Sequence, residues 1–199
     1  MPYRPNMHVI SCLQWIAAHP VTTHVRHVAP VVWDCNCLEE VCGAFTMVIN
    51  GTMGQSCSAL LDQLLTGTTG DQVTLEPMSK FPMVRDLFVD RRRMFNTLVK
   101  IGAWVPIDGT HPLGPGPIEI PGKQETRYAL SKCMTCGCCL EACPQFTLDN
   151  DLIGTAAISQ VSYFNAHPTG QDLKRGRRST WISWSNPAAP RTAAPRKIV

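Results

Sequence analysis

Apolar residues at Ile10, Leu13 and Ile16 or Ala17 recur at a helical interval behind Asn6, a residue able to cap a first turn. They predict a short amphipathic helix near the start of the chain. The period then changes. Val28 to Trp33 is rich in β-branched residues, and Phe45-Thr46-Met47-Val48-Ile49 runs into Asn50-Gly51, a dipeptide that accepts positive φ. A hairpin and a small sheet are expected there. From Val84 a helical stripe returns, with Val84, Leu87, Phe88, Phe95, Leu98 and Val99 on one face and Asp86, Asp90, Arg92 and Arg93 mainly off it. Arg91-Arg92-Arg93 is therefore expected to be solvated or to face a partner. Five prolines and five glycines between Gly102 and Gly122 predict a linker or an irregular crossover. Helical stretches are expected at Gln124 to Lys132 and at Thr155 to Asn165, the latter with Ile158, Val161 and Phe164 in register. Beyond Gly170 the periodicity stops. Pro187, Pro190 and Pro195 stand among Ala, Ser, Thr and Arg there, a composition that buries too little apolar surface to offset its ordering entropy.

A length of 199 residues with 44% hydrophobic content suits one ordinary domain or two small ones. No apolar run reaches 18 residues and no charged-then-apolar leader opens the chain, so neither a membrane span nor secretion is expected. Ten cysteines in a reducing compartment then point to metal or redox chemistry rather than disulfides. The net charge of +3 is uneven: seven basic side chains after residue 170 face only Asp172. Without an aromatic-basic motif beside it, this tail is expected to be solvated, and no nucleic-acid partner is expected.

The densest chemistry is Cys133-Met134-Thr135-Cys136-Gly137-Cys138-Cys139-Leu140-Glu141-Ala142-Cys143-Pro144. It is a C-x2-C-x2-C-x3-C-P run, the bacterial ferredoxin spacing, in which three thiolates wrap one cluster and the fourth ligates another. Pro144 stops a regular helix from continuing and turns the fourth sulfur away. Zinc also takes C-x2-C pairs, but it seldom uses four regularly spaced ligands followed by proline. Cys138, between ligand positions, is expected to be a small buried hydrophobe.

A second group, Cys35-Asn36-Cys37-Leu38-Glu39-Glu40-Val41-Cys42-Gly43-Ala44-Phe45, precedes the hairpin, and Cys57 follows it. C-x4-C with a distant last cysteine is similar to the plant-type 2Fe-2S loop, whose third ligand stands three residues after the second. Phe45 holds that place and offers iron no lone pair. Cys37, Cys42 and Cys57 remain, with Cys35 as a candidate substitute approaching from a different direction. The site is thus either intact through Cys35 or weakened. Cys12 is expected to be a core residue of the first helix. His24 and His27 are expected at the surface rather than as half of a zinc site with Cys35 and Cys37.

Taken in order, Tyr3-Arg4-Pro5-Asn6-Met7, Trp33-Asp34 through Gly43, Val48-Ile49-Asn50-Gly51, Gln55-Ser56-Cys57, Leu75-Glu76-Pro77-Met78, Phe81-Pro82 through Asp90, Trp104 to Gly109, Leu113 to Pro117, Ser131 to Pro144 and Asn165 to Gly170 resemble one family. The chain resembles the iron-sulfur subunit of succinate dehydrogenase and fumarate reductase, in the branch that usually works with menaquinone. The resemblance implies an α+β chain. An incomplete plant-ferredoxin-like β-grasp domain would cover 1–101, a Pro/Gly-rich connector 102–122, an incomplete helical bacterial-ferredoxin-like domain 123–170 and a basic disordered tail 171–199.

By the same resemblance, Cys37, Cys42 and Cys57 bind a 2Fe-2S cluster, Cys133, Cys136 and Cys139 a 4Fe-4S cluster and Cys143 a 3Fe-4S cluster, with Pro144 near the quinone. The implied partners are an FAD-containing flavoprotein subunit, membrane anchor subunits and a quinone of the menaquinone type. The implied place is peripheral, on the cytoplasmic face of the inner (cell) membrane. Three departures from the family stand out: the opening strands are missing, Phe45 replaces a ligand, and a further C-x3-C-P group is absent. Two other readings follow from these departures and from the tail: a truncated or frameshifted relative without a working relay, and a zinc-stabilised binding module with a basic tail.

Overall fold

A computed structural model of the chain describes residues 3–66, 72–105 and 118–167. The expected tail at 171–199 and the middle of the expected connector, 106–117, lie outside the described residues.

Helix α1 spans Val9–Ala18 and buries Val9, Ile10 and Leu13, while Ile16 at its far end is exposed. The residue that precedes it is His8, with extended backbone, and not Asn6. Asn6 instead sits at φ 63° and donates its N–H to Asp62 Oδ2 at 2.9 Å. The first turn of α1 is docked by two backbone bonds, Val9 N–H to Ala59 O and Ile10 N–H to Ser56 O. These tie the helix to the segment that carries Cys57.

The hairpin forms as expected. Strands β1 (Thr46–Ile49) and β2 (Thr52–Gln55) pair antiparallel with Ile49 opposite Thr52, and Asn50 and Gly51 turn between them at φ 49° and 76°. After α2 (Leu61–Thr66), strand β3 (Leu75–Glu76) joins the other edge of β1, giving the order β2-β1-β3. Phe45, Met47 and Ile49 enter one core with Val9, Ile10, Leu13, Cys57 and Leu61. Each large apolar side chain buried this way contributes about 1.5–3 kcal/mol.

Val28 to Trp33 is not a strand: its backbone bonds are isolated ones, Val28 N–H to Pro20 O and Leu87 N–H to Val32 O, and Val32 N–H goes to the Asp86 side chain. Pro30 in its middle lacks the donor that a ladder needs. The helix expected from Val84 begins only at Arg92. Strands β4 (Met83–Arg85) and β5 (Phe88–Val89) form a hairpin first, turning at Asp86 with φ 51°. Helix α3 (Arg92–Lys100) starts where Asp90 accepts the Arg92 N–H at 2.9 Å. Its inward residues are Met94 and Leu98, with Ile101 just beyond its end, and the expected Phe95 and Val99 face outward.

Helix α4 (Pro121–Ser131) opens on proline, which suits a first helical position, and starts three residues before the expected boundary. Helices α5 (Cys138–Ala142) and α6 (Gly154–Ala166) follow. Helix α6 packs against α3, α4 and α5, and the small side chains of Ala156 and Ala157 with Val161 make its buried face. Ile158, expected inside, is exposed, because neighbours on three sides favour small residues over one bulky stripe. A shared core of Met78, Phe81, Val89, Met94, Leu140, Phe146 and Ala156 binds the β4–β5 region to the second cysteine run. Among the described residues no helix is long and apolar enough to cross a membrane.

Candidate metal centres

The loop before β1 is coiled by left-handed backbone at Leu38, Glu40 and Gly43. That coiling aims amide protons at sulfur. The N–H groups of Glu39 and Val41 both donate to Cys37 Sγ at 3.4 Å, and Ala44 N–H donates to Cys42 Sγ at 3.4 Å. These donors, with a bond from the Cys42 thiol, hold the Cys37 thiol down to about 7. Cys57 arrives from the end of β2, buried in the core. Its burial raises its pKa, against the Glu40 N–H that bonds its sulfur, and the nearby Cys37 charge raises it further. Cys37 thus lies beside Cys42 and close enough to Cys57 for its charge to be felt there.

Phe45 is not at the loop surface. It is 1% exposed and packs in the same apolar core as Cys57. Cys35 is exposed at the loop's start, with its N–H bonded to Asp34 Oδ1. Ser56, beside Cys57, is fully buried and its hydroxyl has no hydrogen-bond partner. Three thiols ringed by N–H donors supply three of the four thiolates that a 2Fe-2S cluster takes, so the fit is partial.

The second run starts at the end of α4, where Cys133 N–H bonds Leu130 O and Gln160 Nε2 donates to Cys133 O. Thr135 at φ 55° and Gly137 at φ 94° curl the chain around Cys136 before α5 carries Cys138 and Cys139. Cys139 is exposed and Cys136 is half-buried. Cys143 caps the C-terminal end of α5, and Pro144 follows it. The Cys138 thiol bonds Cys136 and holds its pKa down to about 6, with the Arg91 charge a smaller contributor in the same direction; Cys138 is raised in return. Cys138 is thus no inert filler. It is a partly buried thiol hydrogen-bonded to Cys136 and approached by Gln55 Nε2 at 4.0 Å.

Glu141 accepts from Ser79 N–H, Ser79 Oγ and Lys80 N–H, and Lys80 Nζ donates to Cys143 O. Its carboxylate is an anchor for α5 rather than a solvated charge. The run offers three thiolates for one cluster and Cys143 for another, and no cysteine follows Cys143 in the sequence. The fit to 4Fe-4S and 3Fe-4S clusters is accordingly partial.

The two loops meet. Gly43 lies against Cys136, and Arg91 donates to Gly43 O at 2.5 Å and Cys136 O at 3.5 Å while pairing with Asp34 at 2.9 Å. Two of the three arginines expected to be solvated or to face a partner instead bond within the chain. Arg93 donates to the carbonyls of Thr147, Leu148, Asn150 and Leu152 and stacks over Phe146 at 4.3 Å; only Arg92 is exposed, paired with Asp90. Nothing in the spacing signals Arg91 or the approach of Gln55 to Cys138, because these partners are distant in sequence. His24 and His27 stay exposed as expected. Among the described residues no three His, Cys, Asp or Glu side chains converge as a single metal ion requires. A cluster is wider than an ion and spreads its thiolates.

Residues 1–96 match the family model described as a 2Fe-2S iron-sulfur cluster binding domain. With the thiol-bearing loop inside that range, the fold and site define an iron-sulfur protein. Over 177 residues the chain is 55% identical to the succinate dehydrogenase iron-sulfur subunit of Bacillus subtilis (strain 168), covering 89% of this chain and 68% of that protein. It is 32% identical to the fumarate reductase iron-sulfur subunit of Mycobacterium tuberculosis, over 67% of this chain and 52% of the relative. The chain belongs to the family of iron-sulfur subunits of succinate dehydrogenase and fumarate reductase. It spans about half the length of the fumarate reductase relatives it matches. In fold it is similar to a chain of the Mycobacterium smegmatis Sdh1 complex in the apo form, with a TM-score of 0.61 at 19% identity, over 83% of this chain and 66% of that one.

Proposed function

We propose that this chain relays single electrons between an FAD-containing flavoprotein subunit and a membrane quinone of the menaquinone type. The observation that carries the reading is the contact between the two cysteine loops at Gly43 and Cys136. Electron transfer slows steeply with distance, and thiol groups on touching loops suit successive stations of one relay. An iron-sulfur cluster, when bound, takes up and gives back one electron with little rearrangement.

The chain's own residues supply the rest. Cys37, Cys42 and Cys57 hold the 2Fe-2S cluster, with Cys35 completing the set from the exposed side. Cys133, Cys136 and Cys139 hold the 4Fe-4S cluster, Cys143 contributes to the 3Fe-4S cluster, and Pro144 lies by the quinone. The N–H donors of Glu39, Val41 and Ala44 stabilise thiolate charge at the first loop. Succinate chemistry belongs to the flavoprotein partner. In the complex the chain sits peripherally on the cytoplasmic face of the cell membrane, held through anchor subunits. Residues 1–101 and 123–170 act as its two cluster-bearing units, joined by 102–122.

The test is anaerobic reconstitution of the chain with iron and sulfide, followed by iron, sulfide and zinc analysis and EPR of the reduced sample. Acid-labile sulfide with cluster EPR signals supports the relay. Zinc without sulfide, or a colourless chain that loses its structure, overturns it.

A further inference from the structure

We propose that Arg91 is a positioning residue that clasps the two cysteine loops together and places one positive charge between them. The side chain leaves the start of α3 only 12% exposed and spans three partners. One guanidinium nitrogen, Nη1, donates to Gly43 O in the first loop and to Cys136 O in the second. The other, Nη2, pairs with Asp34 at 2.9 Å, next to Cys35.

The first loop is further tied to the second by a chain of side chains: Thr46 Oγ1 donates to Gly43 O, and Gln55 Nε2 reaches both Thr46 Oγ1 and Cys138 Sγ. Arg91 joins this network at the same Gly43 carbonyl. A planar guanidinium is suited to this task because it offers several donors in fixed directions and stays charged at every working pH. A positive charge held this close to both loops favours the electron-loaded state of whatever each loop binds. The clasp also fixes how far apart the loops sit. The electrostatic half of the inference rests on the relay reading, and the mechanical half does not.

The experiment compares the full chain with its Arg91→Gln and Arg91→Lys variants. Amide hydrogen exchange is measured on the cluster-free chain, and EPR-monitored potentiometry on the reconstituted one. In both variants exchange is expected to quicken in residues 37–44 and in 134–139 together, with the β1–β2 hairpin unchanged. At a fixed solution potential near the parent midpoint, Arg91→Gln is expected to lower the reduced-to-oxidised ratio of both centres about tenfold, equivalent to about 59 mV for one electron. Arg91→Lys keeps the charge and is expected to keep the ratio.

An unchanged ratio in Arg91→Gln, a shift in one centre only, or an equal shift in both variants overturns the electrostatic role. Quickened exchange in only one loop, or in neither, overturns the clasp. Failure of the parent chain to take up clusters removes the relay reading and leaves the clasp to be decided by exchange alone.

Discussion

Gly43 lies so close to Cys136 that a methyl group added at Gly43 would come within 2.7 Å of the Cys136 Cα. The contact joins a loop before the first strand to one more than ninety residues later in the chain. It is a backbone neighbour, which cannot swing aside as a flexible side chain can.

Gly43→Ala therefore meets two penalties, its φ of +68° and the clash, and is expected to cost about 2–4 kcal/mol in denaturant melts. Gly51→Ala is the control. Gly51 has φ +76° and nothing within 4 Å, so only the backbone cost of about 1–2 kcal/mol applies. Equal losses at the two positions would contradict the close packing of the loops.

Phe45→Cys is expected to move stability and cluster uptake in opposite directions. Emptying the space of a residue that is 1% exposed leaves a cavity and lowers the cluster-free chain's stability by about 3 kcal/mol. The new thiol supplies the ligand that phenylalanine cannot, so 2Fe-2S content per chain rises and no longer depends on Cys35. Iron and sulfide analysis of Phe45→Cys, with and without Cys35→Ser, reads both effects.

Within the second run, Cys136→Ala is expected to abolish the 4Fe-4S absorbance and EPR signal, whereas Cys138→Ala keeps them. Cys138 meets Gln55 and the Cys136 thiol, but it stands outside the ligand spacing. A loss of signal in both variants would make Cys138 a ligand.

The amide donors around Cys37 give a pH signature in the cluster-free chain. With its thiol held down to about 7, Cys37 is mostly thiolate at pH 8, while an ordinary cysteine near pKa 8.5 is mostly protonated. Iodoacetamide labelling of Cys37 is expected to level off above about pH 7.5 in the folded chain. In denaturant, where the N–H donors of Glu39 and Val41 are lost, the rate should keep climbing to about pH 9. Superimposable profiles would mean that the loop does not form without its cluster.

Arg93→Met keeps an apolar stem but removes the guanidinium that lies over Phe146 and donates to the carbonyls of the 147–152 turn. Leaving those carbonyls without their charged partner is expected to cost about 2–3 kcal/mol, measurable as a lower midpoint of unfolding at unchanged m-value. Arg92→Met, which touches only its own neighbour Asp90 at the surface, is expected to be close to neutral.

Local chemistry was legible in the sequence. The C-x2-C-x2-C-x3-C-P spacing, the Asn50-Gly51 turn and the C-x4-C loop each depend on residues a few positions apart, so the hairpin and the nearness of Cys37 to Cys42 could be read directly. Periodicity failed where a short-range rule met a stronger tertiary one. The stripe from Val84 was cut by the left-handed turn at Asp86, and Val28 to Trp33 was kept out of the sheet by Pro30.

What only the folded structure decided is which distant groups share space. Phe45 marks a missing ligand in the sequence, but its burial in the core is a matter of packing. Arg91 and Arg93 read as surface charge because polar residues in a row usually are. Their partners, the carbonyls of Gly43 and Cys136 and of the 147–152 turn, are backbone atoms with no sequence signature. Spacing can specify which sulfurs belong to one loop; only tertiary packing brings two such loops, and one arginine, to the same place.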